Sequence, residues 1–149
     1  MMVPYGANRA VVSRFLAALT SLAVALTAIV VFRAPAPALN AAFIAIAMTA
    51  GGCGLIGALL LPHGSGGAYR ALWAALGLLL ALALPTLMSV GIVYLVATAM
   101  IGFALATMPS TTGQPWWHPR YLWLGLLAFT VALWTLYLLS RTGPSIRYI

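Results

Sequence analysis

The chain has 149 residues, of which 64% are hydrophobic and only 5% are charged, and this balance excludes an ordinary soluble domain. It contains no Asp, Glu or Lys, so the formal charge of +7 comes from seven arginines. Paired-carboxylate catalysis, hard-cation sites and carboxylate proton relays are therefore excluded. The arginines stand singly between apolar segments and form no continuous basic face, which argues against a nucleic-acid partner. We expect an all-α integral membrane protein, with residues 1–149 forming a single transmembrane domain.

The first predicted helix covers about residues 14–32, a run long enough to cross a bilayer. It is too long for a signal peptide and lacks a clear cleavage site. Residues 1–13 contain Pro4, Gly6 and Asn8, which oppose a stable helix, so we expect an arm along the membrane interface. Two prolines after Arg33 predict a stiff connector to the second helix.

The second predicted helix covers about residues 40–61, with Asn40 as its N-cap. Small residues recur three to four apart along it, which places them on one face and predicts close packing against another helix. They are Ala47, Ala50, Gly51, Gly54 and Ala58. We expect Cys53, the only cysteine, to act as a small buried hydrophobe.

The stretch Ala71–Thr107 has no ionisable side chain except Tyr94. As one helix its 37 residues would extend about 55 Å, far beyond a hydrocarbon core of about 30 Å. The chain breakers near its middle run from Pro85 to Gly91, so we expect a tight hairpin of helices at about residues 70–87 and 91–108. The alternative is a four-helix protein in which this stretch is broken or reentrant.

A polar connection then leads to the fifth predicted helix at about residues 120–140. Helices one, three and five each open with an arginine and a nearby aromatic residue, as suits helices that enter from the same side. Arginines and tryptophans near the helix ends are expected to anchor the protein at the lipid headgroups. These anchors are Arg14, Arg70, Trp73, Trp116, Trp117, Arg120 and Trp123.

Five helices would place four arginines on one side and three on the other, which barely favours a cytoplasmic N-terminus. Four helices would divide them five to two, which suits the positive-inside rule better. The five-helix arrangement also puts His63 and His118 in loops on one face, where they could form a partner or ligand surface. Interfacial hydrogen bonding is the simpler role for both, and no third metal ligand exists apart from the distant Cys53. We therefore predict no metal and no cofactor.

These features favour a non-catalytic accessory or scaffold subunit of a larger membrane complex, for example a respiratory or photosynthetic one. The alternative is a small oligomeric transporter or channel, although the spans carry no charge for ion coupling. We expect no enzymatic activity. Its expected partners are the lipid bilayer and other membrane subunits, and the Ala/Leu/Gly-rich, all-arginine composition is typical of a bacterial cell membrane protein.

Overall fold

The computed structural model describes residues 5–31, 37–61, 65–87, 91–108, 113, 115 and 117–142. These residues form an all-helical structure without strands, so the predicted fold class is confirmed at that level. The α-helices are α1 (Tyr5–Val31), α2 (Pro37–Leu55), α3 (Gly66–Ala83), α4 (Gly91–Thr107) and α5 (Pro119–Thr142). A π-helical turn, Ile56–Leu60, extends α2.

Four of the described helices are long and apolar enough to cross a membrane. The crossing segments are Ala10–Ala28 in α1, Ala41–Leu60 in α2 and its π turn, Gly66–Ala83 in α3 and Pro119–Arg141 in α5. Helix α4 is also apolar but has only 17 residues. The helix lengths thus support a multi-pass membrane protein.

Helix α3 is the centre of the bundle, because it packs against α2, α4 and α5. Helix α1 lies on the other side and packs against α2 and α4. Helix α5 lies outside this group of four and contacts α3 extensively and α2 to a smaller extent. The central helix is accordingly the most buried: 56% of the apolar segment of α3 is buried, against 17% of that of α5.

The starts of α1 and α2 differ from the predicted ones. Helix α1 begins at Tyr5, nine residues before the predicted start, because Gly6 and Asn8 weaken a helix by only about 1 kcal/mol each. Helix α2 begins at Pro37, so Asn40 lies inside its first turn and is not the N-cap. Proline suits such a start, since its ring fixes φ and the first helical residue needs no N–H donor.

Helix α3 begins and ends earlier than predicted. The Ser65 hydroxyl accepts a hydrogen bond from the backbone N–H of Ala68 at 3.3 Å and so caps the helix. The α-helix ends at Ala83; Leu84 keeps helical backbone angles and its N–H still donates to the carbonyl of Leu80 at 3.2 Å, but Pro85 has no N–H with which to continue the series. Residues 84–87 form a turn.

Helices α3 and α4 run antiparallel. At one end the backbone N–H of Gly91 donates to the carbonyl of Thr86 at 2.7 Å. A Cβ on Gly91 would lie 2.6 Å from the carbonyl oxygen of Ala83, so only glycine fits this approach. At the other end the Tyr69 hydroxyl donates to the carbonyl oxygen of Met108 at 3.0 Å. The start of α3 therefore lies beside the end of α4.

Large apolar side chains on the outer helix faces point away from the core. Examples are Phe15 on α1, Phe103 on α4 and Trp134 on α5, which are 67%, 58% and 62% exposed. In water such faces would cost a large hydrophobic free energy, whereas lipid chains solvate them. The buried interior is in contrast rich in alanine, which lets the helix backbones approach closely.

Candidate functional site

Polar and aromatic groups gather at one end of the bundle, which we call the entry end and define by Tyr69, Met108, His118 and Tyr121. The Tyr69 and Tyr121 rings stack with centroids 5.4 Å apart. Tyr69 also binds the carbonyl of Met108, as described above. Two tyrosines therefore join the starts of α3 and α5 to the end of α4.

His118 organises the first turn of α5. Its carbonyl oxygen accepts hydrogen bonds from the backbone N–H groups of Tyr121 at 3.0 Å and Leu122 at 3.3 Å. Its Nδ1 atom accepts from the backbone N–H of Arg120 at 3.4 Å. The ring packs edge-on against Tyr121, with centroids 5.9 Å apart. His118 therefore satisfies backbone donors at the helix start.

The predicted pair of histidines is placed only in part, because His63 lies outside the described residues. Ser65 and Gly66 follow it closely, and a Cβ on Gly66 would lie 3.4 Å from the Tyr121 hydroxyl oxygen. The start of α3 therefore lies at the entry end, beside Tyr121. Among the described residues no group of three His, Cys, Asp or Glu side chains is close enough to hold a metal ion.

Arg14 brings α1 to the same end. Its Nη2 donates to the carbonyl oxygen of Leu61 at 3.4 Å, and the Leu61 side chain reaches the start of α3 at Gly67. The Arg14 Nε is buried without a hydrogen-bond partner among the described residues. Since the sequence has no acidic side chain, a carboxylate from this chain's side chains cannot pair with the guanidinium.

The other predicted anchors lie around the entry end with different surroundings. Arg70 and Arg120 are exposed, and Trp117 and Trp123 are 58% and 70% exposed. Trp73 is half-buried, with its ring against the backbone of Gly125 on α5. Trp116 lies outside the described residues.

The five small residues predicted to form a packing face are all buried. Two of them lie directly on α1: a Cβ on Gly51 would come 2.9 Å from the carbonyl oxygen of Ser21, and one on Gly54 would overlap the Ser21 hydroxyl. A neighbouring glycine, Gly57, lies instead against α3, where a Cβ would be 3.1 Å from Ala71 and Leu72. The stretch therefore lies against α1 and α3, and at Gly54 it also faces Ile101 of α4.

The closest approach of α3 and α5 was not foreseen from sequence. Gly77 on α3 lies so near Gly125 on α5 that a methyl group on Gly77 would overlap the Gly125 carbonyl oxygen. Each is an isolated glycine in a leucine-rich helix, so no small-residue repeat marks it. The tyrosine contact did have a signal, because Tyr69 precedes Arg70 and Tyr121 follows Arg120 at the two similar helix entries.

Beside this crossing lies an open apolar groove of about 410 Å³, which we call the α3/α5 groove. Its walls carry almost no polar surface. It is lined by Trp73, Leu76, Gly77, Leu80, Pro119, Leu122, Trp123, Gly125, Leu126 and Phe129. The groove begins at the start of α5 and extends towards the middle of the bundle.

Comparisons of the chain with models of protein families, with curated proteins and with solved structures found no match. The roles of its residues therefore follow from their own chemistry and surroundings. The described part of the chain offers packing surfaces, helix-end hydrogen bonds, arginines and apolar grooves, of which the α3/α5 groove is one.

Proposed function

We propose that this chain is a non-catalytic accessory or scaffold subunit of a larger complex in the bacterial cell membrane, for example a respiratory or photosynthetic complex, and that it crosses the bilayer five times. Four of its helices have the required length and apolar character. The fifth crossing would be α4, which the antiparallel contacts set beside α3 from the Gly91 end to the Met108 end. Its 17 residues extend about 26 Å, a small mismatch that local bilayer thinning accommodates.

The observation that carries the scaffold proposal is the convergence of three helices at Gly54. A Cβ on this α2 residue would overlap the Ser21 hydroxyl of α1 and lie 3.6 Å from the Ile101 Cδ1 of α4. Glycine at this position thus lets α2 approach α1 closely, with α4 beside them, at mid-helix. Such close packing supports a role for these residues in helix association.

The composition supports the same proposal. With no carboxylate in the sequence, the chain lacks the groups that most membrane enzymes and ion-coupled transporters use for proton or cation chemistry. Two buried hydroxyls bind neighbouring atoms of the bundle: Thr20 donates to the Met100 sulfur at 3.6 Å, and Ser13 donates to the carbonyl of Ala10 at 3.2 Å. These contacts hold helices and helical turns in place.

Purification from the native membrane in a mild detergent tests the proposal. A tagged full-length chain should migrate with other membrane subunits on a native gel, and mass spectrometry of the band should identify the same partners in repeated preparations. An unrelated membrane protein with the same tag controls for adventitious capture. A stable homo-oligomer that conducts a solute in liposomes would overturn the scaffold proposal in favour of the transporter alternative.

A further inference from the structure

We propose that the α3/α5 groove binds one anionic phospholipid, with an acyl chain against its apolar walls and the phosphate at Arg70 and Arg120. The proposal does not depend on the scaffold role, because it concerns only how the groove meets the bilayer. It rests on the length of the groove, on its apolar lining and on the two cations at its outer end.

The groove has the length of one leaflet. Along α5 it extends from Pro119 to Phe129, and ten helical steps correspond to about 15 Å. The hydrocarbon core of a bilayer is about 30 Å thick, so the groove reaches from headgroup level to about the midplane. A single acyl chain covers this depth, whereas a spanning partner helix would need a seam of twice that length.

The lining suits a flexible hydrocarbon chain. Gly77 and Gly125 form the floor where the helices touch, and the Trp73 and Trp123 rings line the wall near the outer end. Leu126 on the α5 side is 53% exposed and so presents apolar surface to an acyl chain at this depth. No polar side chain lines the groove, which disfavours a ligand with a polar group at mid-depth.

The cations select the headgroup. Arg70 precedes Trp73 by three residues and Gly77 by seven, so it continues their helix face towards the headgroups. Arg120 adjoins Pro119 in sequence and precedes Trp123 by three residues, so its backbone lies at the groove's rim. Both arginines are exposed, and the stacked rings of Tyr69 and Tyr121 hold their two helix starts together. The sequence has no acidic side chain to pair with them, and lipid phosphate, which lies at this depth, supplies the matching anion.

Quenching of tryptophan fluorescence by brominated lipids tests the proposal. The full chain carrying Trp116→Phe, Trp117→Phe and Trp134→Phe keeps only Trp73 and Trp123, the two tryptophans of the groove. It is reconstituted in phosphatidylcholine vesicles containing brominated phosphatidylglycerol or, at the same mole fraction, brominated phosphatidylcholine. We expect stronger quenching by the anionic lipid, and its relative association constant follows from the dependence on mole fraction.

Variants of the arginines separate a site from general surface charge. Arg70→Gln with Arg120→Gln should lower the preference for phosphatidylglycerol by up to about thirtyfold, since each contact with an anionic surface contributes roughly a factor of five. Arg70→Lys with Arg120→Lys should retain most of the preference. Arg120→Gln alone should lower it by about fivefold. Arg141→Gln, which also removes one positive charge but at the far end of α5, is the charge-matched control for that variant and should leave the preference unchanged.

Variants of the wall of the α3/α5 groove test whether an acyl chain occupies it. Leu126→Phe adds bulk to the groove and should weaken quenching by either lipid, whereas Leu127→Phe changes an exposed neighbour that does not line the groove and should have no effect. Equal quenching by both lipids, or an equal loss of preference in Arg141→Gln, would overturn the proposal. So would quenching that disappears as the protein-to-lipid ratio rises, because a second copy of the chain would then fill the groove.

Discussion

The hydroxyl of Tyr69 donates to the carbonyl oxygen of Met108, and 39 residues separate these two partners in the chain. Both residues are buried, and the bond ties the first turns of α3 to the residue that follows α4. Because the same ring also stacks on Tyr121, one side chain connects three helices at the entry end. The bond therefore reports on the α3–α4 hairpin as a whole.

Replacing Tyr69 by Phe keeps the stacked ring but removes the donor. We expect a loss of about 1 kcal/mol in the free energy of unfolding, as is usual for a single hydrogen bond to a neutral acceptor. Thermal or denaturant unfolding in mixed micelles, followed by helical circular dichroism, measures this. Tyr137→Phe on the exposed face of α5 is the matched control. Equal stability of Tyr69→Phe and wild type would show that the bond contributes nothing net.

The second prediction concerns the crossing of α3 and α5. Gly77→Ala places a methyl group on the Gly125 carbonyl oxygen, so the helices must separate, at a cost of about 1–3 kcal/mol. Gly102→Ala is the control, because its Cβ would lie 3.7 Å from the nearest side-chain atom, an ordinary contact. Alanine there should stabilise α4 by up to about 1 kcal/mol.

The same unfolding assay distinguishes the expected destabilisation by Gly77→Ala from the expected stabilisation by Gly102→Ala. If Gly77→Ala is as stable as Gly102→Ala or more so, the close approach of the α3 and α5 backbones is wrong. Lower stability for both variants would instead point to a general intolerance of alanine in these helices.

The all-helical class could be predicted from sequence because apolar runs of spanning length need no knowledge of their neighbours. The ends of the helices were harder to predict. The cap at Ser65 lies five residues before the predicted start of α3, and the loop-like composition before Arg70 hid it from sequence. Pro37 was likewise predicted to belong to a proline-rich connector, although proline also suits the first residue of a helix, which is where the structure places it.

The candidate site was less predictable, because its contacts join residues distant in the chain. The aromatic entry pattern indicated that Arg70 and Arg120 belong to similar segments, but the stacking of Tyr69 on Tyr121 depends on how α3 and α5 pack. His118 shows the same limit. The sequence favoured interfacial hydrogen bonding for this residue over ligand binding, but it did not identify the backbone N–H groups at the start of α5 that His118 binds.

The third prediction is a coupling between Ser21 and Gly54. Gly54→Ala should lower the free energy of unfolding by about 1–3 kcal/mol, because its methyl overlaps the Ser21 hydroxyl. Ser21→Gly alone should cost about 1 kcal/mol through added backbone freedom in α1. In the double variant the new methyl occupies the space that the serine side chain leaves, so the two losses should not add. A double-mutant cycle measures the coupling, and additivity within about 0.5 kcal/mol would contradict the contact.

The last prediction tests five crossings against four with single cysteines in a Cys53→Ala background. Gly67→Cys and Pro115→Cys lie near the entry end, and Arg141→Cys lies at the last turn of α5; all three positions are exposed. If α4 crosses the bilayer, Gly67→Cys and Pro115→Cys lie on one side and Arg141→Cys lies on the other. A membrane-impermeant maleimide added to intact cells then labels either the first two variants or only the third. If α4 does not cross, Gly67→Cys and Arg141→Cys share a side and Pro115→Cys lies opposite, because the chain enters α5 without returning. The parent protein, whose Cys53 lies half-buried within α2, should remain unlabelled from both sides and so controls for reagent that enters the membrane.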